Sequence, residues 1–284
     1  MQEILEILKE TSVDTIKLIP FLFITYLVME YIEHKTSNKV KIAIEKSGKF
    51  GPLLGGILGI FPQCGFSVSA TNLYSTRVIT LGTLIAVYLT TSDEMLPILL
   101  TESVSITTII KILGIKLLIG IIAGFVIDTV LRMIKKENLE EQKIEELCEH
   151  EHCHCEHGII TSALKHTLNI TIFIFIITLA INGIISIIGE DVIGQTISQN
   201  VIVGPIIAGL IGLIPNCASS VILTELFVEN VISMPVLISG VSVNAGVGLL
   251  VLFKTNKNIK ENSKIVGLLY TIGVLSGIIL EIVL

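Results

Sequence analysis

The chain has 284 residues, 51% of them hydrophobic and only 15% charged, with a mean hydropathy of +0.84. A soluble domain carries about 25% charged residues, so much of this apolar surface must be solvated by lipid, and a water-soluble globule is excluded. The net charge of −6 sits in polar loops, and no basic patch interleaved with aromatics points to nucleic acid.

The N-terminus is acidic (Glu3, Glu6, Glu10, Asp14) and lacks the basic start and small-residue cleavage site of a secretory leader. The first apolar run, 15–33, is therefore read as a retained helix. Further apolar runs follow at 50–70, 77–91, 94–108 and 110–134. After a polar linker come runs at 165–188, 201–223, 230–243, 245–254 and 264–284. A full crossing needs about 20 apolar residues. Several runs are shorter and are broken by Pro, Gly or polar residues. Five crossings per set fit the pattern, with re-entrant hairpins as substitutes for some.

The two sets are copies. A shift of 153 residues aligns the chain with itself without a gap. It places Gly51-Pro52 on Gly204-Pro205, Gly56 and Gly59 on Gly209 and Gly212, and Pro62-Gln63-Cys64 on Pro215-Asn216-Cys217. Between 51 and 85, 14 of 35 positions are identical to their partners, Ser67 with Ser220 and Thr71 with Thr224 among them. The register continues through Lys111 and Lys264, Gly120 and Gly273, Gly124 and Gly277, and Asp128 and Glu281. The expected division is a first transmembrane repeat (1–134), a His/Cys/Glu-rich linker (135–163) and a second repeat (164–284).

Equivalent loops differ in charge. Loop 33–50 carries Lys35, Lys39, Lys41, Lys46 and Lys49, whereas 186–203 has Glu190 and Asp191 and no base. Loop 254–264 carries Lys254, Lys257, Lys260 and Lys264, whereas 101–111 has Lys111 beside Glu102. The positive-inside rule then puts equivalent loops on opposite sides. The expected fold is an all-α polytopic membrane protein of two inverted repeats, about five helices each, with both termini outside and the linker in the cytoplasm. Inverted repeats are the signature of secondary transporters, in which one half moves against the other around a central site.

Proline removes a backbone donor and breaks a helix, and matched breaks in two halves point to a transporter's binding site. The candidate substrate-binding residues are Pro62, Gln63, Cys64, Ser67 and Thr71 in the first copy. In the second they are Pro215, Asn216, Cys217, Ser220, Thr224, Glu225 and Asn244. The hydroxyls and amides offer oxygen ligands, and the two cysteines offer sulfur, which selects softer ions. Glu225 and Asn244 are further candidates for cation or proton coupling, because polar groups at membrane depth are costly and usually functional. Asp14, Lys17 and Glu30 read as snorkelling helix-end residues, and Lys111, Lys264, Asp128 and Glu281 as markers of the membrane boundary. Gly55 and Gly59, Gly120 and Gly124, and Gly273 and Gly277 are spaced for close helix contact.

The linker holds Cys148, His150, His152, Cys153, His154, Cys155 and His157 among glutamates. Thiolate and imidazole are the usual ligands of zinc and other transition ions. The spacing fits no ordered zinc motif and reads as an acidic, metal-collecting tract. With five scattered cysteines the chain is not a disulfide framework.

No hydrolytic, redox or nucleotide-binding motif appears. The chain is expected to be no enzyme and to need no resident cofactor. Its partners are expected to be the ion it moves, the bilayer of the cell membrane and, as one option, a second copy of itself. Two other functions remain open at this point. One is a membrane thiol–disulfide protein using Cys64 and Cys217. The other is a metal-sensing membrane protein using the 148–157 tract.

Phe61-Pro62-Gln63-Cys64-Gly65-Phe66-Ser67, its counterpart Ile214-Pro215-Asn216-Cys217-Ala218-Ser219-Ser220 and the intervening His/Cys tract together resemble a bacterial and archaeal family. It comprises ten-transmembrane heavy-metal exporters, related to arsenic permeases and also labelled manganese transporters. The resemblance implies efflux of a metal or metalloid ion across the cytoplasmic membrane. Manganese prefers oxygen ligands and arsenite thiolates, and both are offered at the breaks.

Overall fold

A computed structural model describes residues 50–134 apart from Pro62, Gln63 and Asp93, residues 159–188 and 202–283, and most of 8–27. No strand occurs among the described residues. The first copy forms α1 (Gly51–Gly59), α2 (Cys64–Ser75), α3 (Leu81–Thr90), α4 (Met95–Thr101) and α5 (Ile106–Ile134). After α6 (Ile159–Ile188), the second forms α7 (Val203–Gly212), α8 (Ala218–Val228), α9 (Met234–Val243), α10 (Gly248–Thr255) and α11 (Ile259–Val283). The metal tract 148–157 lies outside the described residues, as do Asp14, Lys17 and Glu30. α6 begins five residues ahead of the position 164 expected for the second repeat.

The 153-residue offset reappears in local structure. α3 and α9 have equivalent bounds, and Arg77 and Asn230, at equivalent turns, both take positive φ, 61° and 59°. Each helix is capped by an equivalent hydroxyl: Thr80 accepts from Thr83 N–H at 3.1 Å, and Ser233 accepts from Val236 N–H at 3.4 Å. Each hydroxyl in turn donates to an equivalent carboxylate, Thr80 to Asp128 at 2.7 Å and Ser233 to Glu281 at 2.9 Å. Asp128 also accepts from Gly82 N–H at 2.9 Å. The two acids thus hold helix N-termini, where an anion is favoured by unpaired N–H groups and the helix dipole. Thr80→Ala and Ser233→Ala are each expected to lower stability by about 1 kcal/mol, read as thermal unfolding in detergent. Unchanged unfolding in both variants would refute the capping role.

Among the described residues five stretches are long and apolar enough to cross a membrane: Leu81–Thr101, Ile106–Ile134, Ala163–Ala180, Met234–Thr255 and Ile259–Val283. α5, α6 and α11 each turn an apolar stripe outward, such as Leu164, Leu168, Ile172 and Ile176 on α6. Four-residue spacing puts these on one helix face, and lipid is the solvent such a face requires. α3 and α9 are buried on nearly all sides and form the centre of the molecule.

The close contacts fix helix directions. Gly51, Gly55 and Gly59 of α1 lie in order against Thr83, Val87 and Thr90 of α3, so the two run parallel. Thr71 of α2 meets Tyr88 of α3, across the tight turn that joins Tyr74 to Arg77, so α2 runs back. α1 and α2 therefore form a hairpin. With nine and twelve residues, each is too short for a bilayer that takes about 20. The second copy does the same. Pro205, Ala208 and Gly212 of α7 follow Ser239, Gly240 and Val243 of α9 in parallel, and α8 returns. α5 and α11 run antiparallel to α3 and α9, with Gly120 and Gly273 against Ala86 and Ser239.

The copies interlock. α2 packs along α10, with Tyr74, Leu84, Leu249 and Leu269 in one apolar cluster, while α4 packs with α8, with Leu99 and Leu223 in another. α10 runs parallel to α2: Gly248 lies against Ser67, and Thr255 shares a 2.7 Å hydrogen bond with Ser75. One end of this α2–α10 seam carries a polar clasp. Arg77 donates to both Glu261 oxygens, at 2.7 and 2.9 Å, and Tyr74 donates to the same carboxylate. The Glu261 hydrogen bonds raise the Arg77 pKa further above its usual value, so the guanidinium stays charged. The opposite seam has Asn230, Thr108 and Phe227 at the equivalent positions.

A junction of four helix interruptions

In each copy the end of the first hairpin helix lies against the end of the broken helix, Gly59 at Thr90 and Gly212 at Val243. The first copy breaks between Gly59 and Cys64 and again after Thr90; the second breaks between Gly212 and Ala218 and again after Val243. Pro215 supplies no N–H, and the turn it occupies is closed by side chains instead. Asn216 Oδ1 accepts from Ser219 N–H at 3.3 Å, and Ser219 Oγ donates to the Ile214 and Asn216 carbonyls at 3.1 Å each. The second break has no proline. Asn244 takes an extended ψ of 99° and ends α9, and its Oδ1 accepts from Gly246 N–H at 2.7 Å.

These two breaks are tied together. Asn244 Nδ2 donates to Ser219 Oγ at 2.9 Å and to the Asn216 carbonyl at 3.4 Å. The first copy reaches the same place through α2. Thr71 Oγ1 lies 2.5 Å from Tyr88 Oη and 3.1 Å from the Gly248 carbonyl at the start of α10. Ser67, Thr71, Asn72, Tyr88, Asn216, Ser219, Ser220, Thr224, Ser242 and Asn244 are all buried. Among the described residues six buried side-chain polar atoms have no hydrogen-bond partner, Asn72 Nδ2 on α2 and Ser242 Oγ on α9 among them.

Of the residues singled out in the sequence, Asn216 and Asn244 are bonded to each other, Ser67 and Thr71 lie against Gly248 at the start of α10, and Ser220 and Thr224 are buried on α8. Pro215 and Cys217 line its turn half-buried. Thr71 and Thr224 occupy equivalent places and both bond back to the carbonyl four residues earlier, at 2.7 and 2.6 Å. Pro62, Gln63 and the Cys64 side chain lie outside the described residues. Glu225 is exposed on α8 beside the buried Thr224. Among the described residues no three His, Cys, Asp or Glu side chains come together to hold a metal.

Lys116 was not expected from the breaks. It lies on α5, is fully buried, and its Nζ donates to the Thr91 carbonyl at 2.5 Å and the Val241 carbonyl at 3.0 Å. These carbonyls end α3 and α9, so one ammonium joins the interrupted helices of both copies. The available signal was a lysine in the middle of the apolar run 110–134, where an ionisable residue is costly.

No curated protein and no solved structure matches the chain. One family matches residues 3–192, which takes in the first repeat, the linker and α6. Together with the apolar spans, this makes the chain a multi-pass membrane protein. It belongs to the family described as "Putative, 10TM heavy-metal exporter".

Proposed function

We propose that this chain is a secondary-active exporter of a metal or metalloid ion, and not an enzyme. Its cargo binds at the junction of the two hairpin tips and the two broken helices. The observation that carries this reading is the direct bonding of Asn244, at one break, to Asn216 and Ser219, at the other. Unwound backbone at membrane depth is tolerated where it is enclosed by protein or lines a cavity, and such breaks hold substrate in transporters.

The inverted arrangement is part of this proposal. α2 opposes α3 in direction, and α10 follows α2, so α10 opposes α3. α10 continues α9 after its break as α4 continues α3, which supports opposite directions for the two broken helices. Positive-inside placement of 33–50 and 254–264 supports the same sense. Each copy then contributes a re-entrant hairpin, a broken crossing and a long closing helix. Exchange for a proton or another ion drives export, and the 148–157 tract gathers metal on the cytoplasmic side.

The junction supplies hydroxyl, amide and carbonyl oxygens together with Cys217, so manganese and softer ions such as cadmium or arsenite are all within its chemistry. Thiol–disulfide chemistry between Cys64 and Cys217, and sensing by the tract, are not favoured by the family. The test is flux of manganese, zinc, cadmium and arsenite in proteoliposomes, with a Cys64→Ser, Cys217→Ser double variant. We expect wild type to move at least one of the four, and the double variant to lose at least tenfold for a thiophilic cargo (about 1.4 kcal/mol). No flux of any cargo would sink the transport reading. Undiminished flux in the double variant would remove the thiols from the site.

A further inference from the structure

We infer that the Arg77–Glu261 ion pair, with Tyr74 behind it, latches a gate between α2 and α10, and that this gate closes the cytoplasmic half of the cargo path. α2 and α10 belong to different copies and run side by side. Three polar ties follow one another along the seam. Thr71 of α2 lies 3.1 Å from the Gly248 carbonyl at the start of α10. Ser75 shares a 2.7 Å hydrogen bond with Thr255 at its end. Beyond both, Arg77 donates to the two Glu261 oxygens and Tyr74 to one of them. This last tie is the one that water reaches, because the Arg77 and Glu261 side chains are 38% and 23% exposed. Water can replace an ion pair so placed. The pair therefore holds the seam shut weakly, and it opens without stranding a charge in an apolar interior.

The equivalent seam, between α8 and α4, is built differently. Val228 and Glu102 stand where Ser75 and Thr255 share a hydrogen bond, and Phe227, Asn230 and Thr108 stand for Tyr74, Arg77 and Glu261. Leu99 and Leu223 pack in an apolar cluster there, with Phe227 and Val228 against it. Arg77 also takes a left-handed φ of 61°. Asparagine tolerates that conformation, as Asn230 does at 59°, whereas an arginine is strained by it. Strain held at one residue points to a use for its side chain, and here that use is the reach to Glu261. What the latch does rests on the transport reading. With 254–264 in the cytoplasm, α2 and α10 lead from the junction to the cytoplasmic face, and α4 and α8 lead to the opposite one. Cargo enters when α2 parts from α10, and the ion pair re-forms behind it before release.

The experiment uses the full-length chain carrying Ser67→Cys. Ser67 is fully buried on α2 against Gly248. An impermeant maleimide is applied to inside-out and right-side-out membrane vesicles, and alkylation of residue 67 is read by fragment-ion mass spectrometry. With the latch intact, labelling is expected to be slow. Adding Arg77→Gln or Glu261→Gln is expected to speed it severalfold, from the cytoplasmic side alone, because loss of a weak tie shifts a two-state equilibrium modestly. The exchanged pair Arg77→Glu, Glu261→Arg is expected to slow it again. Ser220→Cys, at the equivalent place on α8, is expected not to respond to Arg77→Gln. A response there means general loosening and overturns the latch, as does equal labelling of residue 67 in every variant or labelling from outside.

If Ser67→Cys does not fold, Ser75→Cys, Thr255→Cys decides, since it puts thiols where two hydroxyls now share a hydrogen bond. Joined by diamide, this pair is expected to abolish flux of whichever of manganese, zinc, cadmium or arsenite wild type moves, relative to wild type oxidised alongside, and reduction is expected to restore it. Flux that survives the cross-link overturns the gate. Wild type moving none of the four cargoes removes the transport reading instead, and labelling at residue 67 still decides whether the seam opens at this latch.

Discussion

Gly212→Ala is expected to prevent the chain from accumulating in the membrane, whereas Gly114→Ala and Gly267→Ala are expected to fold normally. A methyl at Gly212 would strike the Gly240 carbonyl and come within 3.2 Å of Val243 Cβ. The obstructing atom is backbone, and it belongs to the helix on which the α7–α8 hairpin rests. Relief requires α7 to move away from α9, which also pulls Asn216 away from Asn244. Overpacking of this kind costs about 1–3 kcal/mol even where side chains can adjust, and a backbone obstruction leaves less room to adjust. Among the described residues no neighbouring element comes within 4 Å of a methyl added at Gly114 or Gly267, so alanine there is neutral or gains up to about 1 kcal/mol of helix propensity. The measurement is membrane yield and thermal unfolding of the three variants side by side. Normal yield of Gly212→Ala would show that the hairpin does not seat on α9 as described.

Asn244→Ala is expected to lower cargo flux at least tenfold and stability by about 2–3 kcal/mol. The side chain makes three hydrogen bonds that hold both breaks of the second copy, to Ser219, Asn216 and Gly246. Its loss leaves the buried Gly246 N–H without that acceptor and frees the Pro215 turn. Ser242→Ala serves as the contrast. That hydroxyl is buried and has no partner among the described residues, so its removal is expected to leave stability unchanged or to raise it by up to about 1 kcal/mol. Flux in proteoliposomes and unfolding in detergent check both. Wild-type flux in Asn244→Ala would place the transport path away from the junction.

Several features of this arrangement are legible in the letters. The apolar runs, the 153-residue duplication and the Pro-polar-Cys interruptions are local patterns, and the helix bounds follow them closely. Asn244 could be picked out as a polar residue at the end of an apolar run. The helix ends at Thr91 and Asn244 were harder to read as breaks, because neither carries a proline and both arise from an extended ψ within a buried stretch. Glu225 follows the buried Thr224 and is itself exposed, because one residue further along a helix faces another way. Lys116 lies in the interior of its apolar run, and one of its acceptors lies 125 residues away in sequence, beyond the reach of any local pattern.

Composition and repetition by themselves determined that this is a helical, multi-pass membrane protein of two related parts, because solvation of apolar length and self-similarity are properties of sequence. Only the tertiary structure decided that α1–α2 and α7–α8 double back, that Asn216 meets Asn244, and that Lys116 joins α3 to α9. The physical reason is that an interrupted helix in lipid must satisfy its freed carbonyls and N–H groups from whatever packs beside it. Those neighbours are set by three-dimensional contact between distant segments, which no local pattern of residues encodes.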